Sequence, residues 1–180
     1  MNTTGILIAG FGGQGVMLAG KLLAAAGMRA GLEVTYMPSY GAEVRGGTAN
    51  CMVILSPDPI ALPLVFQPDI LIAMNRLSYD RFGPRVRPGG IVIRNISRTE
   101  GAPAGSPGRT LDVPADDIAR DIGAPKSANL VALGAAIQAG RLFPIATAIE
   151  SIPEMLSARY SHLLKVNAKA LALGAEAIPG

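Results

Sequence analysis

The 180-residue chain has one cysteine, one histidine and no tryptophan, and its four lysines are outnumbered by twelve arginines. A lone Cys51 excludes an internal disulfide, and it excludes a cysteine-ligated iron–sulfur cluster held by this chain alone. A lone His162 leaves little room for a histidine-based metal site or a Ser-His-Asp triad. The G-x-S-x-G elbow of a serine hydrolase is also absent. No apolar stretch is long enough to span a bilayer, and no basic region precedes the first apolar run. The cytoplasm is therefore the expected compartment, and a membrane is not an expected partner. Charged residues make up only 16% of the chain. A net charge of +3, with no basic run interleaved with aromatics, is too mild to suggest nucleic acid. Apolar residues, by contrast, reach 49%. That balance fits one domain over residues 1–180 with one good core, and much surface covered by partner subunits.

What is there is organised by the stretch GILIAGFGGQG at residues 5–15. Residues 6–9 form a short apolar run, as expected of a parallel strand covered on both faces. Gly10, Gly12 and Gly15 then stand in G-x-G-x-x-G spacing. The first glycine permits a tight turn, the second lets backbone come close to a ligand, and the third lets the next helix pack on the strand. Val16–Arg29 reads as that helix, with Lys21 on its solvent side, and the free N–H groups at its start favour an anion. Strand, turn and helix predict the first unit of an α/β fold, a single Rossmann-like domain with a doubly wound, mostly parallel sheet.

A bound dinucleotide is less well supported than the fold. An NAD site needs an acid at the end of the second strand, whereas the strand expected at residues 33–37 has Glu33 at its start. A P-loop fares worse, because Val16 and Met17 replace the lysine and the hydroxyl residue. Gln14, the one polar side chain in the turn, either hydrogen-bonds a ligand or closes the turn on its own backbone.

Pro38 is expected to end the second strand, and a glycine-rich loop follows, SYGAEVRGGT at residues 39–48. Glu43 and Arg45 are two apart, which places them on the same side of an extended segment. Either both are solvated, or Arg45, held by Gly46 and Gly47, presents its fork to a carboxylate or phosphate. Loops of this length in a compact domain are usually functional, which favours the second reading.

Further strands are expected at residues 49–55, with Cys51 buried as a small apolar group, and at residues 70–74, 91–94 and 110–113. Asn75 then falls at the carboxyl edge of a parallel sheet, where sites usually form. Short helices are expected from Ser78, as a cap, through Phe82, and over residues 115–122 with Asp116 and Asp117 in the first turn. Ser127 is the expected cap of a helix over residues 128–139. Helices over 148–160 and through Leu171 complete the chain. Asn129 is either a first-turn hydrogen bonder or a pocket residue. Six arginines between Arg76 and Arg98 face one acid, Asp80. They form either a solvated face or a rim for an acidic partner or a phosphate-bearing substrate.

Two motifs, GFGGQG at residues 10–15 and YGAEVRGG at residues 40–47, resemble the gamma subunit of 2-oxoacid:ferredoxin oxidoreductases in wording, order and separation. GAEVRGG is most similar to the 2-oxoglutarate type. Pyruvate, branched-chain 2-oxoacid and indolepyruvate relatives share the frame. Asn129 at the head of NLVALG, and Asn167, Ala170 and Gly174 near the end, extend the resemblance over nearly the whole chain. The resemblance implies an enzyme that decarboxylates a 2-oxoacid on thiamine diphosphate and Mg2+. It would pass electrons through iron–sulfur clusters to ferredoxin and release an acyl-CoA. Those cofactors are implied on other subunits, with none held by this chain. The implied partners are alpha and beta subunits, with or without a delta subunit, together with coenzyme A, the 2-oxoacid and ferredoxin. Gly12, Gly13, Gln14, Glu43, Arg45, Gly46 and Asn129 are the candidates for lining the shared cavity, with no catalytic residue of the chain's own. A free-standing NAD or FAD oxidoreductase and a pure scaffold are the alternatives.

Overall fold

A computed structural model describes residues 2–40, 48–99, 105–155 and 158–178. Its first strand, β1 (Thr4–Phe11), turns Ile6 and Ile8 to one face and Leu7 and Ala9 to the other, all four inaccessible. A two-residue period buried on both sides marks a central strand, and β1 is central. The sheet order is β2-β3-β1-β4-β5-β6, with β2 at Glu33–Tyr40, β3 at Thr48–Ser56, β4 at Ile70–Ala73, β5 at Ile91–Asn95 and β6 at Arg109–Val113.

β1, β4, β5 and β6 pair in parallel, while β3 runs antiparallel to both β1 and β2. Five strands thus share a direction and one opposes them, which gives the mostly parallel, doubly wound sheet its single reversal. The chain between β2 and β3 is seven residues long. A parallel return needs a crossover of about a dozen residues or more, so a connection this short can only join antiparallel neighbours. Pro38 does not end β2. The strand continues to Tyr40, with Pro38 opposite Cys51. β2 is an edge strand, where a residue without an N–H is tolerated on the unpaired side.

The two faces of the sheet are covered unequally. On one side α1 (Val16–Arg29), α3 (Ala115–Asp121), α4 (Ala128–Gly140), α5 (Ile145–Met155) and α6 (Leu164–Glu176) enclose the larger core. On the other, α2 (Arg76–Phe82) sets Tyr79 and Phe82 against Leu7, Ala9, Leu71, Ala73 and Val92. Over β2 and β3 that second face is open: Met37 is exposed and Met52 only half-buried.

α4 is apolar nearly all round and buried from Ala128 to Ile137, as such a helix must be. A Cβ added to Gly134 would land on the Leu171 carbonyl, and one on Gly174 would land on the Val131 carbonyl, so α4 and α6 touch backbone to backbone. α1 packs its glycines against side chains of the sheet. Gly20 lies against Cys51 and Tyr36, and Gly27 against Leu55 and Val34. The close helix–strand approach expected at Gly15 is therefore made by Gly20 and Gly27.

The helix starts also differ from expectation. α2 is capped by Asn75, whose Oδ1 accepts from Ser78 N at 2.9 Å, and Ser78 lies buried inside the first turn. Ser127 precedes α4 without a side-chain cap, and its hydroxyl instead donates to Asn167 Oδ1 at 2.9 Å. The helix expected over 148–160 is α5, which ends at Met155, and a 3-10 segment at Ala158–Leu163 leads into α6. Among the described residues no helix is long and apolar enough to cross a membrane.

Candidate functional site at the carboxyl edge

The carboxyl ends of β1, β4, β5 and β6 lie along one edge of the sheet. The strand order switches direction there, with β2 and β3 on one side of β1 and β4 on the other, which is the usual site position in this class of fold. A cleft of about 310 Å³ opens at this edge, lined by Phe11, Gly12, Gly13, Gln14, Met74, Arg98, Asp116, Pro125, Lys126 and Ala128. Three of the expected site residues, Gly12, Gly13 and Gln14, line it together.

The turn that forms its floor is locked from within. Gln14 Oε1 accepts from Phe11 N at 2.7 Å and from Asn75 Nδ2 at 2.7 Å, and Gln14 Nε2 donates to the Met74 carbonyl at 3.2 Å. The amide therefore closes the turn and ties it to the end of β4. Gly13 has φ 95° and Gly15 φ 72°, a region that glycine enters without strain. A Cβ at Gly15 would stand 2.5 Å from Asn129 Nδ2. Gly12 is different: its φ is not positive, and a Cβ there would meet nothing within 4 Å.

Asn129, in the first turn of α4, is buried and donates from Nδ2 to the Gly15 carbonyl at 3.0 Å. Its Oδ1 has no hydrogen-bond partner among the described residues. The residue thus links the heads of α1 and α4 beside the cleft instead of lining it. Glu43, Arg45 and Gly46 lie outside the described residues. The described residues on either side of them are placed: Thr48 is in register with Phe11, and Tyr40 with Ala49, at the edge that carries the glycine turn.

Arg98, which the sequence offers only as part of an arginine run, and Asp116 and Lys126, which it does not single out for a site, line the same cleft. Arg98 is hidden within a run of arginines, and Asp116 reads as an ordinary first-turn acid. The arginine run resolves into local pairs. Arg76 meets Asp80, Arg87 meets Asp69, Arg94 meets Asp112 at 2.7 Å and Arg98 meets Asp116 at 2.8 Å. Arg81 and Arg85 lie over the Phe82 ring at 5.2 and 5.6 Å. Of the six, Arg98 alone lines the cleft. The hydrogen bond to Asp112 keeps the Arg94 guanidinium more firmly protonated, and Ser97 with Arg120 holds the Asp117 carboxyl below its usual range.

Among the described residues no side-chain set offers the ligands of an iron–sulfur cluster or a metal ion. Cys51 is fully buried under α1, where burial pushes its thiol up to about 12. No group of three histidine, cysteine or acidic residues among the described residues converges on a metal position. β2 ends in Met37, Pro38, Ser39 and Tyr40, with Glu33 at the opposite edge, so the described end of β2 carries no acid to hold the ribose of an NAD.

Comparison with known proteins gives a consistent picture. A family model described as pyruvate ferredoxin/flavodoxin oxidoreductase matches residues 5–177. The chain is 41% identical over 135 residues to ketoisovalerate oxidoreductase subunit VorA of Methanothermobacter thermautotrophicus, covering 75% of this chain but 28% of the relative. It therefore spans less than a third of that protein. Among solved structures, the gamma subunit of the keto/oxoacid ferredoxin oxidoreductase of Geobacter sulfurreducens superposes with a TM-score of 0.84 at 27% identity, over 98% of this chain and 96% of that one. The 2-oxoglutarate:ferredoxin oxidoreductase of Magnetococcus marinus, solved with 2-oxoglutarate, coenzyme A and succinyl-CoA bound, gives 0.86 at 26% identity over 99% of this chain and 32% of that one.

Proposed function

Since the chain belongs to the pyruvate ferredoxin/flavodoxin oxidoreductase family, we propose that it acts as the gamma subunit of a cytoplasmic 2-oxoacid:ferredoxin oxidoreductase, of the 2-oxoglutarate type. The complex converts a 2-oxoacid, coenzyme A and oxidised ferredoxin into acyl-CoA, carbon dioxide and reduced ferredoxin. Thiamine diphosphate, Mg2+ and iron–sulfur clusters belong to the alpha and beta subunits, with or without a delta subunit. This chain walls the cavity that coenzyme A enters, with the turn at Gly12 and Gly13 as its contribution.

The observation that carries this reading is Gly12. Neither backbone conformation nor packing within the described residues calls for glycine there. A molecule that approaches the backbone from outside does. Exposed apolar side chains support the subunit role: Met37, Leu62, Leu64 and Phe66 are large apolar residues of a kind that partner subunits cover.

The test is co-expression of this chain with alpha and beta subunits, followed by anaerobic purification. The chain should co-purify, and ferredoxin reduction should require the 2-oxoacid, coenzyme A and this chain together. A complex with full coenzyme A-dependent turnover in the absence of this chain would refute the reading.

A further inference from the structure

We infer that Arg98 and Lys126 form a phosphate clamp above the glycine turn, so that this cleft selects a ligand by its phosphate group. The inference rests on the reading of the cleft as a coenzyme A wall and assigns the side chains that read the ligand's charge.

Three cleft-lining side chains carry charge: Arg98, Lys126 and Asp116. The acid is turned inward. Asp116 Oδ2 accepts from Asn95 Nδ2 at 2.6 Å, and its Oδ1 accepts from Arg98 Nε at 2.8 Å. The charge facing the cleft is therefore cationic. Arg98 uses Nε and Nη2 on Asp116, which leaves Nη1 for a ligand. Lys126 stands exposed in the 3-10 turn before α4. An arginine fork beside a lysine point charge suits the several oxygens of a phosphate.

The clamp is built into the same frame as the turn. Asn95 is fully buried and spans the ends of two strands. Its Nδ2 also donates to the Met74 carbonyl at 3.3 Å, and its Oδ1 accepts from Ala115 N at 3.1 Å. That same Met74 carbonyl accepts from Gln14 Nε2. One carbonyl oxygen therefore anchors the glycine turn through Gln14, and the Arg98 side chain through Asn95 and Asp116. A guanidinium placed in this way loses little freedom when a ligand arrives. Two helix starts, at Val16 of the 14-residue α1 and at Ala128 of the 13-residue α4, add free N–H groups at the same edge.

Coenzyme A offers this clamp two sources of phosphate, its 3′-phosphate and its diphosphate. The test uses the assembled complex with coenzyme A and with dephospho-coenzyme A, which lacks only the 3′-phosphate. Arg98→Gln and Lys126→Gln should each raise KM for coenzyme A by about tenfold, the usual worth of a charged hydrogen bond, and leave kcat within about twofold. Arg98→Lys should restore part of the loss. Arg29→Gln, at the far end of α1, removes the same charge and should leave KM unchanged. If the 3′-phosphate is read, dephospho-coenzyme A is a poor substrate whose KM ignores both variants. If the diphosphate is read, both substrates suffer equally.

Unchanged KM in a complex that turns over would overturn the clamp and leave the proposed function standing. A complex without coenzyme A-dependent turnover would instead refute that function. The clamp is then judged on the full chain by amide chemical-shift titration with adenosine 3′,5′-bisphosphate. Shifts at Gly12, Gly13, Arg98 and Lys126 that Arg98→Gln abolishes would support it, and their absence would overturn it.

Discussion

The side chain of Asn129 donates to the backbone carbonyl of Gly15 at 3.0 Å across 114 positions of sequence, joining the first turns of α1 and α4. This contact leaves no space for a side chain at position 15, since a Cβ there would stand 2.5 Å from the Asn129 amide nitrogen. Gly15→Val should therefore destabilise the chain with or without a ligand. The left-handed backbone adds about 1–2 kcal/mol of strain and the displaced hydrogen bond roughly 1 kcal/mol. Thermal unfolding should show a drop of several degrees. An unchanged melting temperature would mean that the heads of the two helices are not in contact.

Gly12→Ala separates ligand approach from packing. Its added methyl meets nothing within 4 Å, so the melting temperature of the free chain should stay within error. In the assembled enzyme the same methyl should raise KM for coenzyme A or loosen the complex. Normal assembly with normal kinetics would remove Gly12 from the site.

Arg45→Ala should likewise leave the free chain as stable as wild type, because the glycine-rich sequence around Arg45 predicts a position outside the core. If Arg45 pairs with a desolvated carboxylate or phosphate across the interface, its truncation should cost roughly 2–5 kcal/mol in the complex. Co-purification reads an interface role, and turnover with coenzyme A varied reads a role in the cavity wall. No change in either assay returns Arg45 to the solvent.

Cys51 gives a pH signature. Burial under α1 raises its thiol from an ordinary value of 9.0 to about 12, which means that the fold favours the neutral form. Its contribution to stability is complete below 9.0 and is lost as pH rises from there toward about 12. Cys51→Ala removes this ionisable group, so its melting temperature should fall less steeply than that of wild type over the same alkaline range. Alkylation by iodoacetamide at pH 8 should also be slow in the folded chain and fast after denaturation. Rapid labelling of the native chain would contradict the burial.

Much of the frame was legible in the sequence. The apolar run, the glycine spacing and the helix Val16–Arg29 are local features, set by side-chain period and backbone freedom within about thirty residues. Asn75 at the carboxyl edge and the buried Cys51 follow from strand position alone. The capping roles were not legible, because a cap is set by the residue at which the helix starts and by partners brought near from elsewhere in the chain. Asn75 accepts from Ser78 N at the head of α2, and the Ser127 hydroxyl donates to Asn167, 40 positions away.

By itself, the sequence determined that this chain is an α/β unit with a glycine turn at its head, and that it has one cysteine and one histidine, too few for a cysteine-ligated cluster or a histidine-based metal site. Those are properties of composition and short-range pattern. The tertiary structure decided what each polar side chain does at the edge. Gln14 is consumed in closing the turn, Asn129 bridges two helices, and Arg98 leaves a crowd of arginines to face the cleft. It also decided the direction of β3, the placement of Gly20 and Gly27 against the sheet, and the meeting of Gly134 with Leu171. The reason is physical: hydrogen-bond partners and backbone contacts separated by twenty to more than a hundred residues are chosen by how strands and helices stack, and no local period encodes that choice.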